Sequence, residues 1–326
     1  MIEEGRAGPP SLQAPQGPPK GAGRVKLLLK LGRWHFVFGG LLLFLLGALL
    51  ARADGASPEP GRLLLGYASL FCAHLSVSYS NDYFDRAGDR FSTPSPFAGG
   101  SGVLVARPEL GPAARAIALG LIAASLALGA LFAWLYRPHW SFFPFVVAGN
   151  ALGWFYSAPP VRLSSRGLGE LSTSFAIGLM LPGMGFFVAS GGIGTAFLVL
   201  ALPLLMYGLA FIVSVEIPDI EADREAGKRT LALRSGRPAA FVINGSVLAA
   251  ASGLLAVLAW SRREGSGAYT PLALLSMVPL AAGMTGLALR PGGREAATRV
   301  VNANLTSFIL FVLLADIWLL LSPGLA

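Results

Sequence analysis

Residues 196–215 read AFLVLALPLLMYGLAFIVSV, twenty positions without a charge, and residues 216–223 read EIPDIEAD. Twenty residues wound as an α-helix rise about 30 Å, the thickness of a bilayer's hydrocarbon core. The run has no polar stripe of the kind a helix on the surface of a water-soluble protein carries. The carboxylates that follow it without a break mark the point where such a helix leaves the membrane. That pairing, an apolar run ending in an acidic cluster, decides the fold class once the rest of the chain is seen to be built the same way.

Apolar runs recur near His35–Ala51, Leu63–Ser80, Ala113–Tyr136, Phe142–Tyr156, Leu171–Ala189, Ala196–Val215, Ala239–Trp260, Pro271–Leu289 and Leu305–Leu321, the fourth being the shortest. Nine spans joined mostly by short connections predict an all-α polytopic membrane protein with antiparallel neighbours. Composition agrees: 54% of residues are hydrophobic, 13% are charged and the mean hydropathy is +0.63. A soluble chain carries about 25% charged residues, which it needs to cover a wetted surface. Residues 1–26, with Pro9, Pro10, Pro15, Pro18 and Pro19, have the composition of a disordered tail. No apolar run precedes Arg33, so the tail does not read as a secretory signal. Residues 27–326 form the transmembrane domain.

The net charge of +8 is laid out by topology. Of 25 Lys and Arg residues, 20 fall in the tail and in every second loop, and only Arg52, Arg62, Arg137, Arg262 and Arg263 fall on the opposite side. The positive-inside rule then places the amino terminus in the cytoplasm and the carboxyl terminus outside a multi-pass protein of the cell membrane. A nucleic-acid partner is not needed to explain the charge, and no protein partner is implied. The single cysteine, Cys72, lies in an apolar run, where it reads as a small buried hydrophobe. His35, His74 and His139 are too scattered for a zinc or haem site.

Seven of the 17 acidic residues lie in two short stretches. Asp82, Asp85 and Asp89 end the second apolar run, and Glu216, Asp219, Glu221 and Asp223 end the sixth, on the same side of the membrane. Asp82, Asp85 and Asp89 are spaced to share one face of a helix, and Glu216, Asp219 and Asp223 repeat the spacing. Carboxylates crowded at a helix C-terminus, where the dipole is already negative, need a counter-charge. A hard divalent cation is the natural one. Magnesium suits a site of few carboxylates that completes its shell with water and phosphate oxygens, and the pattern of a calcium loop is absent. Arg86 and Arg90 beside the first cluster, and Arg224, Lys228 and Arg229 beside the second, complete the surroundings a diphosphate requires. A solvated, charge-mixed loop explains either cluster singly. Two clusters of matched spacing on one face point to a shared task.

Asn81-Asp82-x-x-Asp85-x-x-x-Asp89 and Asp219-x-x-x-Asp223, the latter followed by Gly227-Lys228-Arg229-Thr230-Leu231, resemble the two motifs of the UbiA superfamily of intramembrane prenyltransferases. The loop Tyr156-Ser157-Ala158-Pro159-Pro160-Val161-Arg162-Leu163, with Arg166-Gly167-Leu168-Gly169-Glu170 after it, is similar to that family's connection between its fourth and fifth helices. The likeness covers nearly everything from Arg33 onward. It implies nine transmembrane helices around a central cavity with a cytoplasmic cap. It also implies two magnesium ions that help an isoprenyl diphosphate ionise before an acceptor attacks the allylic cation. Carried over residue by residue, it assigns Asn81, Asp82, Asp85, Asp89, Asp219 and Asp223 to metal. It assigns Lys228, Arg229, Arg162, Arg86 and Arg90 to diphosphate. Glu216 stands where many relatives carry Asn or Asp. Among polar residues in or near the spans, Tyr156, Tyr207 and Asn150 are candidates to line the acceptor cavity, although an aromatic anchor at the interface is an equal reading of Tyr156. Asp316 lies near the outer end of the last span, away from the motifs, where a structural role is expected.

The segment Thr93-Pro94-Ser95-Pro96-Phe97-Ala98-Gly99-Gly100-Ser101-Gly102 and Gly167-Leu168-Gly169-Glu170 look most like the branch of 1,4-dihydroxy-2-naphthoate prenyltransferases of menaquinone synthesis. The expected partners are therefore a prenyl diphosphate, a small aromatic acceptor, and the lipid bilayer. Another lipid or quinone-precursor acceptor is the alternative within the family. A cation-coupled transporter is the alternative outside it, though carriers place ion sites near the bilayer midplane rather than at one interface.

Overall fold

The computed structural model describes residues 23–322 apart from 94, 96, 98 and 262–268. Residues 1–22, most of the expected disordered tail, lie outside the described residues. The last residues assigned to that tail instead open a short helix, Arg24–Leu31, which seats Leu27 and Leu31 in the protein and leaves Val25 and Leu29 exposed.

Among the described residues, nine long helical segments follow. They are α1 (Trp34–Ala53), α2 (Pro60–Asp89), α3 (Gly111–Tyr136), α4 (Phe142–Ser157), α5 (Gly169–Ser190), α6 (Thr195–Glu216), α7 (Arg237–Ser261), α8 (Tyr269–Leu289) and α9 (Arg294–Leu321). Eight of the nine segments are long and apolar enough to cross a membrane. The exception is α4, whose 16 residues rise about 24 Å, short of a full hydrocarbon core. It is the fourth and shortest apolar run of the sequence. No strand occurs among the described residues.

Large apolar side chains such as Leu64, Trp134, Trp140, Val257, Trp260 and Leu274 face outward. In a soluble protein so much exposed apolar surface would be a liability; around a bundle of spanning helices it is the lipid-facing belt. Inside, the helices rely on close contact and polar bonds, because lipid supplies no hydrophobic drive to pair them. A Cβ on Gly47 of α1 would lie 1.7 Å from the Pro182 carbonyl oxygen, and one on Gly185 of α5 would lie 1.9 Å from that of Phe44, so only glycine lets these two backbones meet. Asn244 of α7 donates to the Ala210 carbonyl at 2.7 Å and to Ser214 Oγ at 2.8 Å, and Asn304 of α9 donates to Asn244 Oδ1 at 3.0 Å. These bonds tie α6, α7 and α9 together. α9 also packs on α1, closing the ring of helices around a cavity.

Two departures from regular helix bear on that cavity. Residues Ala176–Met180 of α5 form a π-type turn, and Ala176, Ile177 and Met180 line the cavity wall. A π-bulge of this kind is often found at functional sites. At the end of α6, Pro218 turns Ile217–Asp219 into a 3₁₀ turn before helix resumes at Ile220–Glu225. The first acidic cluster lies on one continuous helix, as its spacing predicts, but the second is split by this turn.

Candidate active site

The cavity has a volume of about 360 Å³ and runs from a charged mouth into an apolar body. Asn81, Asp82, Asp85 and Asp89 enter the mouth from α2, Asp219 from the turn after α6, and Lys228 from the loop beyond it. Leu43, Leu70, Met180, Leu181, Phe308 and Val312 line the body.

Three of the carboxylates, Asp82, Asp85 and Asp223, are held by neighbours. Asp82 accepts the Ser101 backbone N–H at 3.3 Å and the Ser101 hydroxyl. Asp85 accepts the Ser157 hydroxyl at 2.8 Å. Asp223 accepts Thr230 Oγ1 at 3.2 Å and pairs with Lys228 Nζ at 3.2 Å. On either side of Ser101 the backbone turns at Gly99, Gly100 and Gly102, whose φ of 80°, 58° and 69° lie in a region glycine enters without strain, and Gly99 and Gly100 line the mouth. A Cβ on Gly100 would lie 2.5 Å from Asp89 Oδ2.

Asn81 Oδ1 and Asp219 Oδ1 are buried with no hydrogen-bond donor, although Arg294 Nη2 stands 3.7 Å from the latter. Among the described residues no group of three His, Cys, Asp or Glu side chains converges on one metal position. Hard oxygen donors that are present, orphaned and not saturating suit an ion that takes its remaining ligands from water and phosphate. The site fits magnesium in that sense.

The cations sort by position. Lys228 lines the cavity; burial alone would lower its pKa, but Asp223, Asp85 and Asp89 outweigh that and hold the ammonium above the ordinary lysine value. Arg162, Arg229, Arg86 and Arg90 are all exposed and do not line the cavity. Arg162 lies within electrostatic reach of Asp85, whereas Arg86 rests on the Tyr83 ring at 5.1 Å and Arg90 on the Phe91 ring at 4.6 Å. A cation that the sequence offered only as a topological charge, Arg33, turns inward instead. Its backbone takes φ 44° at the start of α1, and its guanidinium faces Asp82, Asp89 and Asp219; burial pulls its pKa below the ordinary value against their opposing pull. The signal was available in its place, the last base before the first span, but no local pattern distinguishes a base that turns in from one that turns out.

Of the three acceptor-cavity candidates, Tyr156 lines the cavity and is hydrogen-bonded to Thr173. The other two are placed elsewhere. The Tyr207 hydroxyl is 3.1 Å from Ser252 Oγ and its ring stacks on Phe308, so it is spent on helix packing. Asn150 donates to Ser125 Oγ and to the Val146 carbonyl, at 3.0 and 2.9 Å, beside a separate small void. Glu216, whose role the sequence left open, accepts the Ala232 N–H at 3.2 Å, while Glu170 accepts that of Leu231. Together they cap Leu231–Ser235 and fix the loop that carries Lys228. Asp316 is buried near the far end of α9, with neither carboxylate oxygen hydrogen-bonded.

A membrane-embedded chamber, apolar within and lined at one end by carboxylates and cations, is what an enzyme needs to bring a lipid diphosphate and an acceptor together. This class of arrangement is that of an intramembrane prenyltransferase. The model of the UbiA prenyltransferase family matches residues 41–312, and the chain belongs to that family. It is 25% identical over 226 residues to the 1,4-dihydroxy-2-naphthoate octaprenyltransferase of Bacillus subtilis (strain 168), covering 67% of this chain and 68% of the relative. Among solved structures, the apo UbiA homologue of Aeropyrum pernix K1 superposes with a TM-score of 0.66 at 18% identity, over 88% of this chain and 98% of that one. A UbiA homologue from Archaeoglobus fulgidus bound to GPP and Mg2+ gives 0.62 at 17% identity, over 89% and 99%. The protein is thus a multi-pass membrane prenyltransferase, and the transporter reading is set aside.

Proposed function

We propose that this enzyme transfers an isoprenyl group from a prenyl diphosphate to 1,4-dihydroxy-2-naphthoate in menaquinone biosynthesis, at the cytoplasmic face of the cell membrane. The observation that carries the reading is the continuity of one cavity from a mouth of carboxylates and Lys228 into an apolar chamber. It is supported by the relative named as a 1,4-dihydroxy-2-naphthoate octaprenyltransferase and by the structural neighbour bound to GPP and Mg2+.

Asn81, Asp82, Asp85, Asp89, Asp219 and Asp223 would hold two magnesium ions, which when bound supply charge to stabilise a leaving diphosphate. Lys228 and Arg33 act on the same leaving group from within the mouth, and Arg162 and Arg229 raise the positive potential at its rim. The apolar body takes the prenyl chain and keeps water from the allylic centre, where an exposed cation would be hydrolysed. The C–O bond breaks with its electron pair on diphosphate, and the electron-rich ring carbon that bears the acceptor's carboxylate forms the new C–C bond. The ring regains aromaticity as that carboxylate leaves as carbon dioxide, its C–C electron pair returning to the ring. Serine and threonine hydroxyls at Ser101, Ser157 and Thr230 hold the carboxylates in orientation through this sequence.

The test is prenyl transfer by the purified protein in detergent, with geranylgeranyl diphosphate and 1,4-dihydroxy-2-naphthoate, with and without magnesium. Magnesium-dependent product, lost in Asp85→Ala and Asp219→Ala, is the expected result. Magnesium-dependent binding of the diphosphate without product would refute the naphthoate acceptor and leave a prenyltransferase for another acceptor. Folded protein that does neither would refute the proposed chemistry.

A further inference from the structure

His74 lies on α2 eight residues before Asp82, so that about 12 Å of helix separates them along the cavity wall. It lines the cavity, as do Val77, Ser78, Asn81, Asp82 and Asp85 of the same helix, and hence shares the face that carries the first acidic motif. Of the residues deeper than Ser78 that α2 presents to the cavity, Leu70, Ala73 and His74, only the histidine has polar atoms. No hydrogen bond from a described residue reaches its ring, and Gly40, Leu70 and Ala73 line the cavity beside it. The facing helix has been cut away to admit it: a Cβ on Gly40 of α1 would lie 2.2 Å from Nδ1 and 2.5 Å from Cε1 of the ring. A bulky hydrophobe would fill this position with less desolvation. A polar ring, seated against glycine and left without a partner in an apolar chamber, is a group placed for a ligand.

We infer that His74 positions the acceptor, its imidazole hydrogen-bonding a ring hydroxyl of a hydroxyarene bound in the apolar chamber. A neutral imidazole offers one acceptor nitrogen and one N–H donor, so it can accept a hydrogen bond from a hydroxyl without carrying charge into the membrane. Its depth suits the task. With the diphosphate at the carboxylates and the allylic carbon just below, an acceptor ring carbon at about 3–3.5 Å from that carbon leaves the ring's far substituent at the level of His74. The prenyl diphosphate itself has no polar group to offer at this depth. The inference rests on the aromatic acceptor proposed above and adds the residue that recognises it.

The experiment is equilibrium binding to the purified full chain, without magnesium or diphosphate, followed by quenching of tryptophan fluorescence. The two probes are 1,4-dihydroxy-2-naphthoate and its 1,4-dimethoxy analogue, which cannot donate a hydroxyl proton. Geranylgeranyl diphosphate binding with magnesium is measured in parallel. Wild type is expected to prefer the dihydroxy probe by about tenfold, the worth of one hydrogen bond. His74→Phe should erase the preference, His74→Gln, which keeps an acceptor oxygen, should retain part of it, and all should bind the diphosphate as wild type does. Gly40→Ala, which presses the ring out of place without removing it, should weaken the dihydroxy probe alone. If His74→Phe or, where that variant does not fold, Gly40→Ala keeps the full preference, the inference is overturned while the naphthoate reading stands. If wild type binds the diphosphate but neither probe, the naphthoate reading fails and this inference fails with it.

Discussion

Gly100→Ala is a small change with a large expected effect, because two separate demands meet at that residue. Its φ of 58° costs an L-residue about 1–2 kcal/mol. Its new Cβ would also stand 2.5 Å from Asp89 Oδ2 and 2.9 Å from Asp89 Cγ, closer than any real contact, so the Asp89 carboxylate has to swing away. Gly55→Ala separates the two effects: it too has a positive φ, 93°, but nothing lies within 4 Å of the added carbon. Both variants should lose stability to a similar degree in a thermal unfolding assay. Only Gly100→Ala should raise the magnesium concentration needed for half-maximal prenyl transfer, by about 10- to 100-fold, the usual range when a group that orients a metal ligand is disturbed. A Gly100→Ala protein with wild-type magnesium dependence would refute the placing of Asp89 among the metal ligands. An equal shift in Gly55→Ala would show that the effect comes from general destabilisation.

Lys228→Met should weaken prenyl-diphosphate binding more than Arg86→Ala or Arg90→Ala, which remove exposed guanidiniums outside the cavity; Michaelis constants for the diphosphate decide this. Because Asp223, Asp85 and Asp89 hold Lys228 above its ordinary pKa, it stays charged throughout the neutral range, so the defect of Lys228→Met should not change with pH there. Its charge–charge contribution to stability is complete below the ordinary lysine value and is lost only as pH rises through the raised one. Glu216→Leu should lower stability by about 1–3 kcal/mol, by stranding the buried Ala232 N–H, and raise the diphosphate KM through the loosened Lys228 loop while leaving the magnesium requirement in place. Asp316→Leu should be neutral or stabilising in thermal unfolding, with turnover unchanged, since neither carboxylate oxygen has a hydrogen bond to lose.

What the sequence determines alone is whatever depends on runs and spacing. Twenty uncharged residues have to bury their backbone bonds within one helix once they enter lipid, so the spans could be read directly. Asp82, Asp85 and Asp89 share a face in any helix, and their common face in α2 follows from the 3.6-residue turn alone. His74 carries the same periodic signal on the same helix, but one histidine in an apolar run has no motif to mark it. The tertiary structure decides whatever depends on which side chains meet. Pro218 removes one backbone donor and breaks the helix that the spacing of Glu216, Asp219 and Asp223 suggests. Glu216 thereby turns to cap a neighbouring helix while Asp219 stays at the cavity. Arg33 enters the site and Arg86 does not, although both are bases beside a span, because the direction of a long side chain is set by the backbone turn and carboxylates around it. Tyr207 and Asn150 are polar residues in spans, as a cavity wall would need, yet each is consumed by a helix neighbour that no one-dimensional pattern reveals.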